Sequence, residues 1–172
     1  MGFPSEGRGG RQLEPSAKLL RLHRHSLATL LVTGGQSEHR RAVAFAFHET
    51  GPLREGPFVY VDCRQDEQRL KAALQASFTR AAGNGGSDVV LAAWGGTLYL
   101  DHVTDLKPST QKLVLWALDR AGADTADSWP VRMGAGDDLD PAHAVKKGRF
   151  LRELYDALDK IHVALRRPVV AA

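Results

Sequence analysis

Short apolar runs alternate along the chain with longer segments in which apolar residues recur every three or four positions. The run TLLVT, at 29–33, is continuous and ends at the glycine pair 34–35. Such a run is typical of a strand that is buried on both faces of a parallel sheet. Together with four similar runs, this pattern predicts strands at 29–33, 56–63, 96–101, 131–136 and 162–166.

The segments between these runs carry helical patterns. One of them opens with Pro108 and Ser109 and closes with Gly122, which are common residues at the start and the end of a helix. The pattern predicts helices at 16–26, 40–49, 67–78, 108–122 and 148–161. Strands that alternate with helices predict an α/β fold with a mainly parallel sheet sandwiched by helices.

Length and composition place these elements in one domain. The chain has 172 residues, of which 43% are hydrophobic and 25% charged, as expected for a globular protein with one core. Residues 1–14 are rich in Gly, Pro and Arg, and this composition predicts a disordered tail. The α/β core is therefore predicted to span residues 15–172.

Charge and cysteine content argue against several classes of protein. The net charge of +3 comes without the dense basic patch of a nucleic-acid binder, so no direct DNA binding is predicted. The single cysteine, Cys63, excludes an internal disulfide and suits a reducing cytoplasm, which is the predicted location. The sequence has no apolar run of about 18 residues that could span a membrane. It also has no zinc-binding spacing of Cys and His, so no metal site is predicted.

The segment LLVTGGQSEHRR, at 30–41, has the layout of a phosphate-binding loop: a strand, a glycine turn and a helix. Such a loop needs small residues, because its backbone N–H groups close around the phosphates, and it needs a lysine that reaches the outer phosphates. Here the acidic Glu38 would repel a polyphosphate. Arg40 keeps a positive charge, but its planar guanidinium is not equivalent to a compact ammonium.

From about Ser16 to Pro168, the chain resembles the central AAA+ ATPase domain of sigma-54-dependent transcriptional activators, the bacterial enhancer-binding proteins. Four segments carry the resemblance: LLVTGGQSEHRR at 30–41, GPFVYVDC at 56–63, GGTLYLDHVTDLKPSTQKLVLWAL at 95–118 and VRMGAGDDLDPAHAVKKGRFLRELYDALDKIHVALR at 131–166. The resemblance implies a AAA+ P-loop-type core. The family's helical lid is missing from the expected fold, because the sequence stops soon after the last predicted strand.

The catalytic motifs of that family are altered at matching positions. In the Walker A segment, Gly34 is kept. Gly35 replaces the family's glutamate, Ser37 its middle glycine, His39 its last glycine and Arg40 its lysine. In Walker B, Asp101 matches the magnesium-associated aspartate, and His102 replaces the glutamate that activates water. The sensor asparagine falls on Asp138. The family's two arginine fingers fall on Leu151 and Ala157, and Arg152 lies one residue late.

These changes together predict a catalytically inactive domain with no bound nucleotide or metal. Two alternatives remain open. One is a nucleotide-binding switch without hydrolysis, in which the helix dipole assists Arg40 and Arg41. The other is a residual ATPase in which His102 is the general base. A nucleotide that binds is expected at seven residues: Gly34, Gly35, Ser37, Arg40, Arg41, Asp101 and His102.

A protein partner is the predicted ligand, either a true AAA+ activator or another regulatory protein. The family's sigma-54 contact tip maps by spacing onto ASFTRA, at 76–81, and keeps Phe78 and Thr79. The shortened segment before it favours a different interpretation, in which Phe78 ends a core-facing helix. Arg149 and Arg152 are further candidate contacts. The basic run that contains them is either a solvated helix face or a surface for an acidic partner.

Overall fold

The computed structural model describes residues 27–78, 92–121 and 131–166. The predicted tail at 1–14, the predicted helix at 16–26 and the candidate contact Thr79 lie outside the described residues. In chain order, the elements are β1 (Leu30–Thr33), α1 (Ser37–Thr50), β2 (Phe58–Asp62), α2 (Cys63–Phe78), β3 (Thr97–Asp101), a 3-10 turn (Val103–Asp105), α3 (Pro108–Arg120), β4 (Arg132–Asp137), α4 (Ala142–Lys146), α5 (Arg152–Leu158) and β5 (Ile161–Ala164).

The five strands form one sheet in the order β2-β3-β4-β1-β5, and every neighbouring pair is parallel. The predicted α/β class is therefore confirmed. In the register of the sheet, Thr33 at the end of β1 pairs with Asp137 on β4 and with Ala164 on β5. The carboxyl ends of the strands consequently meet at one edge, where loops carry polar side chains.

Helices cover both faces of the sheet, because successive strand residues point to opposite sides. Leu31 belongs to the larger core cluster, which includes residues of α2, α3 and α5. Its neighbours Leu30 and Val32 belong to the smaller cluster, with Val43 and Phe47 of α1. The continuous apolar run of β1 thus has the predicted cause, burial on both faces. None of the helices in the described part of the chain is long and apolar enough to cross a membrane.

The predicted helix at 148–161 is wrong at its start, and the observed helix also ends three residues early, at Leu158, so that Ile161 belongs to β5. The helix α5 begins only at Arg152, and Gly148 has a φ of +68°. The buried side chain of Gln111 holds this stretch in a turn: its Nε2 donates to the carbonyl of Arg149 at 3.0 Å, and the N–H of Leu151 donates to its Oε1 at 2.9 Å. Because this bond joins residues about 40 positions apart, local periodicity does not reveal it. The short helix α4 was not predicted.

Candidate functional site

The candidate site lies where β1 turns into α1, at the carboxyl edge of the sheet. Gly34 and Gly35 have φ of +82° and +61°, a region that L-residues rarely adopt. A Cβ on Gly34 would also collide with the carbonyl oxygen of Leu165. The chain after β5 passes this close because the N–H of Leu165 donates to the carbonyl of Thr33 at 2.7 Å. The turn therefore requires glycine at 34.

Arg40, on the first turns of α1, points into the protein and is fully buried. Its Nε donates to Oδ1 of Asp101 at 2.8 Å, and its Nη2 donates to Oδ2 at 3.1 Å. Asp101 ends β3 and is also fully buried. This two-point pairing matches the planar fork of a guanidinium to the two oxygens of a carboxylate.

The other guanidinium donors of Arg40 are used by the loop. Nη1 donates to the carbonyl oxygens of Gly34 and Gly35, at 3.0 and 2.9 Å, and Nη2 lies 3.1 Å from Oγ of Ser37. A guanidinium has five N–H donors, and here each of them has an acceptor within the protein. The loop carbonyls thus point inward, whereas a phosphate-binding loop points its N–H groups inward.

Protonation follows from this pairing. Burial on its own raises the pKa of Asp101, but hydrogen bonds from Arg40 and Ser37 outweigh it, and the pKa lies below its ordinary value. Burial lowers the pKa of Arg40, and the hydrogen bond and charge of Asp101 more than reverse this effect, so that the pKa is raised. Both groups are therefore charged at neutral pH, and the pair is a buried ion pair.

His102 follows Asp101 and is 7% exposed. Its Nδ1 lies 2.9 Å from Oδ1 of Asp62, and because a carboxylate only accepts hydrogen bonds, this contact assigns a proton to Nδ1. Its Nε2 lies 3.3 Å from Nη2 of Arg40 and 3.4 Å from Oγ of Ser37. The backbone of His102 is left-handed, with φ of 53° and ψ of 47°, which is costly for a residue other than glycine.

A chain of alternating charges leads from this pair to the surface. Nη1 of Arg40 lies 3.1 Å from Oδ1 of Asp138, whose Oδ2 lies 3.3 Å from Nη2 of Arg64. Nε of Arg64 in turn donates to Asp105 at 2.8 Å. Asp138, Arg64 and Asp105 are about half exposed, at 45%, 52% and 43% of their side chains. The charged groups between Arg40 and the surface are therefore paired with one another.

Two tyrosines complete the surroundings of Asp101. The hydroxyl of Tyr60 donates to Oδ2 at 3.2 Å, and that of Tyr99 to Oδ1 at 3.4 Å. Burial and the nearby Asp101 raise the pKa of Tyr60 to about 12. The guanidinium of Arg41 stacks over the ring of Tyr60 at 4.7 Å from its centroid. Arg41 is exposed, in contrast to the fully buried Arg40.

The structure brings together six of the seven residues predicted for a nucleotide site, all except Arg41. They are Gly34, Gly35, Ser37, Arg40, Asp101 and His102. Glu38 is exposed. His39 has an ordinary helical backbone within α1, so the loop needs no glycine there.

The candidate partner contacts lie on other parts of the fold. Arg149 and Arg152 are exposed near the start of α5, and Phe78 ends α2.

Sequence reasoning missed several residues of the site, among them Tyr60 and Tyr99, which contact Asp101, Asp62, which contacts His102, and Arg64, which contacts Asp138. One signal for Asp62 was available, since it ends a predicted parallel strand and strand ends share an edge of the sheet. Tyr60 lies two residues before Asp62 on the same strand, but no local pattern indicates that its hydroxyl reaches Asp101. Arg64 belongs to the site only because the 3-10 turn and the end of β4 approach α2, where its guanidinium contacts Asp105 and Asp138.

A phosphate placed in this loop would meet two carbonyl oxygens and the carboxylates of Asp101 and Asp138, while Arg40 has no free donor for it. The arrangement as it stands does not fit a polyphosphate. Within residues 27–78, 92–121 and 131–166, no group of three or more His, Cys, Asp or Glu residues is placed to hold a metal ion.

The family model described as "Sigma-54 interaction domain" matches residues 10–164. Among curated proteins, the Nif-specific regulatory protein of Herbaspirillum seropedicae is 30% identical over 148 residues, which cover 80% of this chain and 27% of that protein. The DNA-binding transcriptional regulator NtrC of Rhizobium meliloti is 29% identical over 178 residues, covering 95% of this chain and 36% of that protein. This chain thus spans about a quarter to a third of these relatives.

Solved structures show the same fold. NtrX from Brucella abortus in complex with ATP superposes with a TM-score of 0.67 at 21% identity, over 86% of this chain and 33% of that one. The P-loop NTPase domain of the sigma-54 transport activator from E. coli gives a TM-score of 0.61 at 18% identity, over 86% of this chain and 89% of that one. The fold is therefore that of a P-loop NTPase domain, as the sequence predicts.

Proposed function

The chain belongs to the sigma-54 interaction domain family, and we propose that it serves bacterial transcription regulation through contacts with other proteins, without binding or hydrolysing ATP. The matched relatives are transcriptional regulators by name, which supports a function in transcription regulation. The buried ion pair between Arg40 and Asp101 is the observation that carries the rest of the proposal.

The ion pair supports the absence of nucleotide binding because Arg40 stands at the position of the phosphate-binding lysine. To meet a phosphate, its guanidinium would have to leave Asp101, Gly34 and Gly35. Breaking a buried ion pair of this kind costs about 3–5 kcal/mol. A bound phosphate would have to recover that free energy and would still face the carboxylates of Asp101 and Asp138.

The surroundings of His102 support the absence of hydrolysis. A general base must reach a water molecule that attacks the substrate. Both ring nitrogens of His102 instead contact protein groups, Nδ1 at Asp62 and Nε2 at Arg40 and Ser37. We therefore infer a positioning function for His102, which fixes Asp62 against the loop.

A nucleotide-binding switch without hydrolysis is the second candidate. The observation that favours it is the preserved backbone of the loop, with Gly34 and Gly35 at positive φ before the first turn of α1. In this candidate, Arg40 moves from Asp101 to the nucleotide when it binds, and the exposed Glu38 stays in solvent.

Calorimetric titration with Mg-ATP and Mg-ADP separates the two candidates. We expect no saturable heat at millimolar nucleotide for the wild type, for Arg40→Lys, or for the control Arg41→Ala, which changes an exposed arginine that stacks over the ring of Tyr60. Saturable binding by the wild type would overturn the proposal. Loss of that binding in Arg40→Ala that is still folded at the titration temperature, but not in Arg41→Ala, would establish the switch, and a phosphate-release assay would then test hydrolysis.

The protein partner is proposed to be a AAA+ activator or another regulatory protein. Phe78 remains a candidate contact at the end of α2, and Arg149 and Arg152 are exposed. Purification of the tagged protein from its own bacterium should recover a AAA+ protein or a component of the transcription machinery. Recovery of neither would count against this partner class.

A further inference from the structure

Four cationic side chains surround the turn between α4 and α5, at Lys146, Lys147, Arg149 and Arg152. We call this segment, residues 146–152, the basic turn. All four residues are exposed, and none forms an ion pair with another residue of the described ranges. By contrast, Arg40 and Arg64 are each held by two carboxylates.

Hydrogen bonds and a buried side chain hold the backbone of the basic turn in place. The N–H of Arg149 donates to the carbonyl of Ala144 at 2.9 Å, and the N–H of Gly148 donates to that of Val145 at 3.0 Å. Gln111, 1% exposed, bonds the carbonyl of Arg149 and the N–H of Leu151. The side chain of Phe150, 4% exposed, anchors the centre of the turn in the core. The four cations therefore project from a rigid support, which lowers the entropic cost of binding a partner.

We propose that the basic turn is a docking surface for an acidic segment of a partner protein. This inference rests on the proposed function, since it names the chemistry of the protein that the domain contacts. Cations that form no ion pair within the described part of the chain attract carboxylates without first having to break an ion pair there. Their charge also speeds the encounter with an acidic partner.

A protein segment fits this surface better than a nucleic acid. Exposed acids, Glu153 and Asp156, lie on α5 directly after the cations, so the positive charge is confined to one turn and does not follow the length of a phosphate backbone. Leu139, 56% exposed, lies three residues before α4, at the end of that helix opposite to the basic turn. An exposed apolar side chain and a cluster of cations at the two ends of one short helix suit a peptide that carries both acidic and apolar residues. Four cations are also fewer than the roughly 6–10 phosphate contacts of a typical DNA-binding surface.

Fluorescence anisotropy with a synthetic peptide of alternating glutamate and leucine tests the inference. We expect saturable binding at an ionic strength of about 0.15 M, where long-range attraction between exposed charges is already screened. The double variant Lys147→Glu/Arg149→Glu should bind about tenfold more weakly or worse, because like charges then face each other. Both side chains are exposed and form no ion pair with residues 27–78, 92–121 or 131–166, so we expect the variant to fold, and its unfolding midpoint should equal that of the wild type.

The matched control is Arg69→Glu/Lys112→Glu, which changes the net charge by the same amount at exposed positions on α2 and α3. Equal weakening by both double variants would show that only net charge matters and would overturn the inference. So would the absence of peptide binding by the wild type. Binding of duplex DNA at the same ionic strength that Lys147→Glu/Arg149→Glu abolishes, without peptide binding, would replace it by a nucleic-acid surface.

These outcomes are separable from those of the proposed function. Nucleotide binding in the calorimeter would overturn the proposed function and leave the peptide result unaffected. A failed peptide titration with an empty nucleotide titration would overturn only the inference about the basic turn.

Discussion

The guanidinium of Arg40 and the carboxylate of Asp101 face each other through two hydrogen bonds, with Nε–Oδ1 at 2.8 Å and Nη2–Oδ2 at 3.1 Å. Both side chains are fully buried. The pair joins the first turns of α1 to the end of β3. Because Arg40 also bonds the carbonyls of Gly34 and Gly35, one side chain holds the loop closed on the protein's own groups.

Removing Arg40 should destabilise the fold strongly. We expect Arg40→Ala to lower the free energy of unfolding in urea by about 3–5 kcal/mol, because Asp101 is left buried without a counter-charge. Arg41→Ala, which loses only an exposed cation–π contact with Tyr60, should cost about 0.5–1 kcal/mol. Replacing both partners, in Arg40→Met/Asp101→Leu, should cost less than Arg40→Ala alone. Equal costs for Arg40→Ala and Arg41→Ala would contradict the structural importance of the pair.

The contribution of Asp101 should disappear in acid. Burial raises the pKa of Asp101, but the hydrogen bonds from Arg40 and Ser37 lower it by more, so that the pKa lies below the ordinary value of 3.8. A lowered pKa means that the unfolded state takes up the proton first, so the contribution is complete above pH 3.8 and is lost as the pH falls through the folded-state pKa. The difference in stability between wild type and Asp101→Asn should therefore shrink as the pH falls below 3.8. A difference that stays constant below pH 3.8 would refute the assignment.

Restoring the family's glutamate should not restore activity. In His102→Glu, the new carboxylate would lie near those of Asp62, Asp101 and Asp138, which contact the imidazole at 2.9, 3.7 and 3.8 Å. We expect a loss of about 1–3 kcal/mol in the free energy of unfolding and no phosphate release from ATP. The control His102→Asn, which tolerates the left-handed backbone, should lose less stability. ATP hydrolysis by His102→Glu would contradict this and show that the wild type lacks only the glutamate that activates water.

Gly136 and Tyr99 should be energetically coupled. A Cβ on Gly136 would collide with the hydroxyl oxygen of Tyr99 and lie 2.8 Å from Oδ1 of Asp101. Gly136→Ala should therefore cost about 1–3 kcal/mol in the wild type and distinctly less in the Tyr99→Phe background, where the hydroxyl is absent. Urea unfolding of the four proteins gives the coupling, and additive costs would exclude it.

All three tyrosines of the chain should resist ionisation in the folded protein. Burial is the largest cause in each case, raising the pKa of Tyr60 and of Tyr155 to about 12 and that of Tyr99 well above 10. Since the folded state holds these protons more tightly, their contribution to stability is complete below pH 10 and is lost as the pH rises through about 12. Phenolate absorbance should therefore appear at higher pH in the native protein than in urea. A native tyrosine that titrates near pH 10 would contradict this.

Local sequence patterns determined the element types and the sheet class, because burial on one or both faces of an element leaves a periodicity in its own residues. The apolar runs of β1 and β3 and the punctuation of α3 are examples. Motif positions also determined which residues lie around the loop, since the ends of parallel strands share one edge. These predictions needed no knowledge of contacts between distant residues.

Only the tertiary structure decided how these groups pair. The sequence showed that Arg40 replaces a lysine, but not that its guanidinium turns inward to Asp101, 61 residues away. It did not indicate that Gln111 delays the start of the predicted last helix to Arg152, or that Tyr60 reaches Asp101 from β2. Hydrogen bonds and ion pairs between distant segments depend on distances that the fold sets, and they leave no periodic trace in the chain. The fold of this protein could therefore be predicted from its sequence. The hydrogen bonds that hold its loop on Arg40 and Asp101 depend instead on how the strands pack.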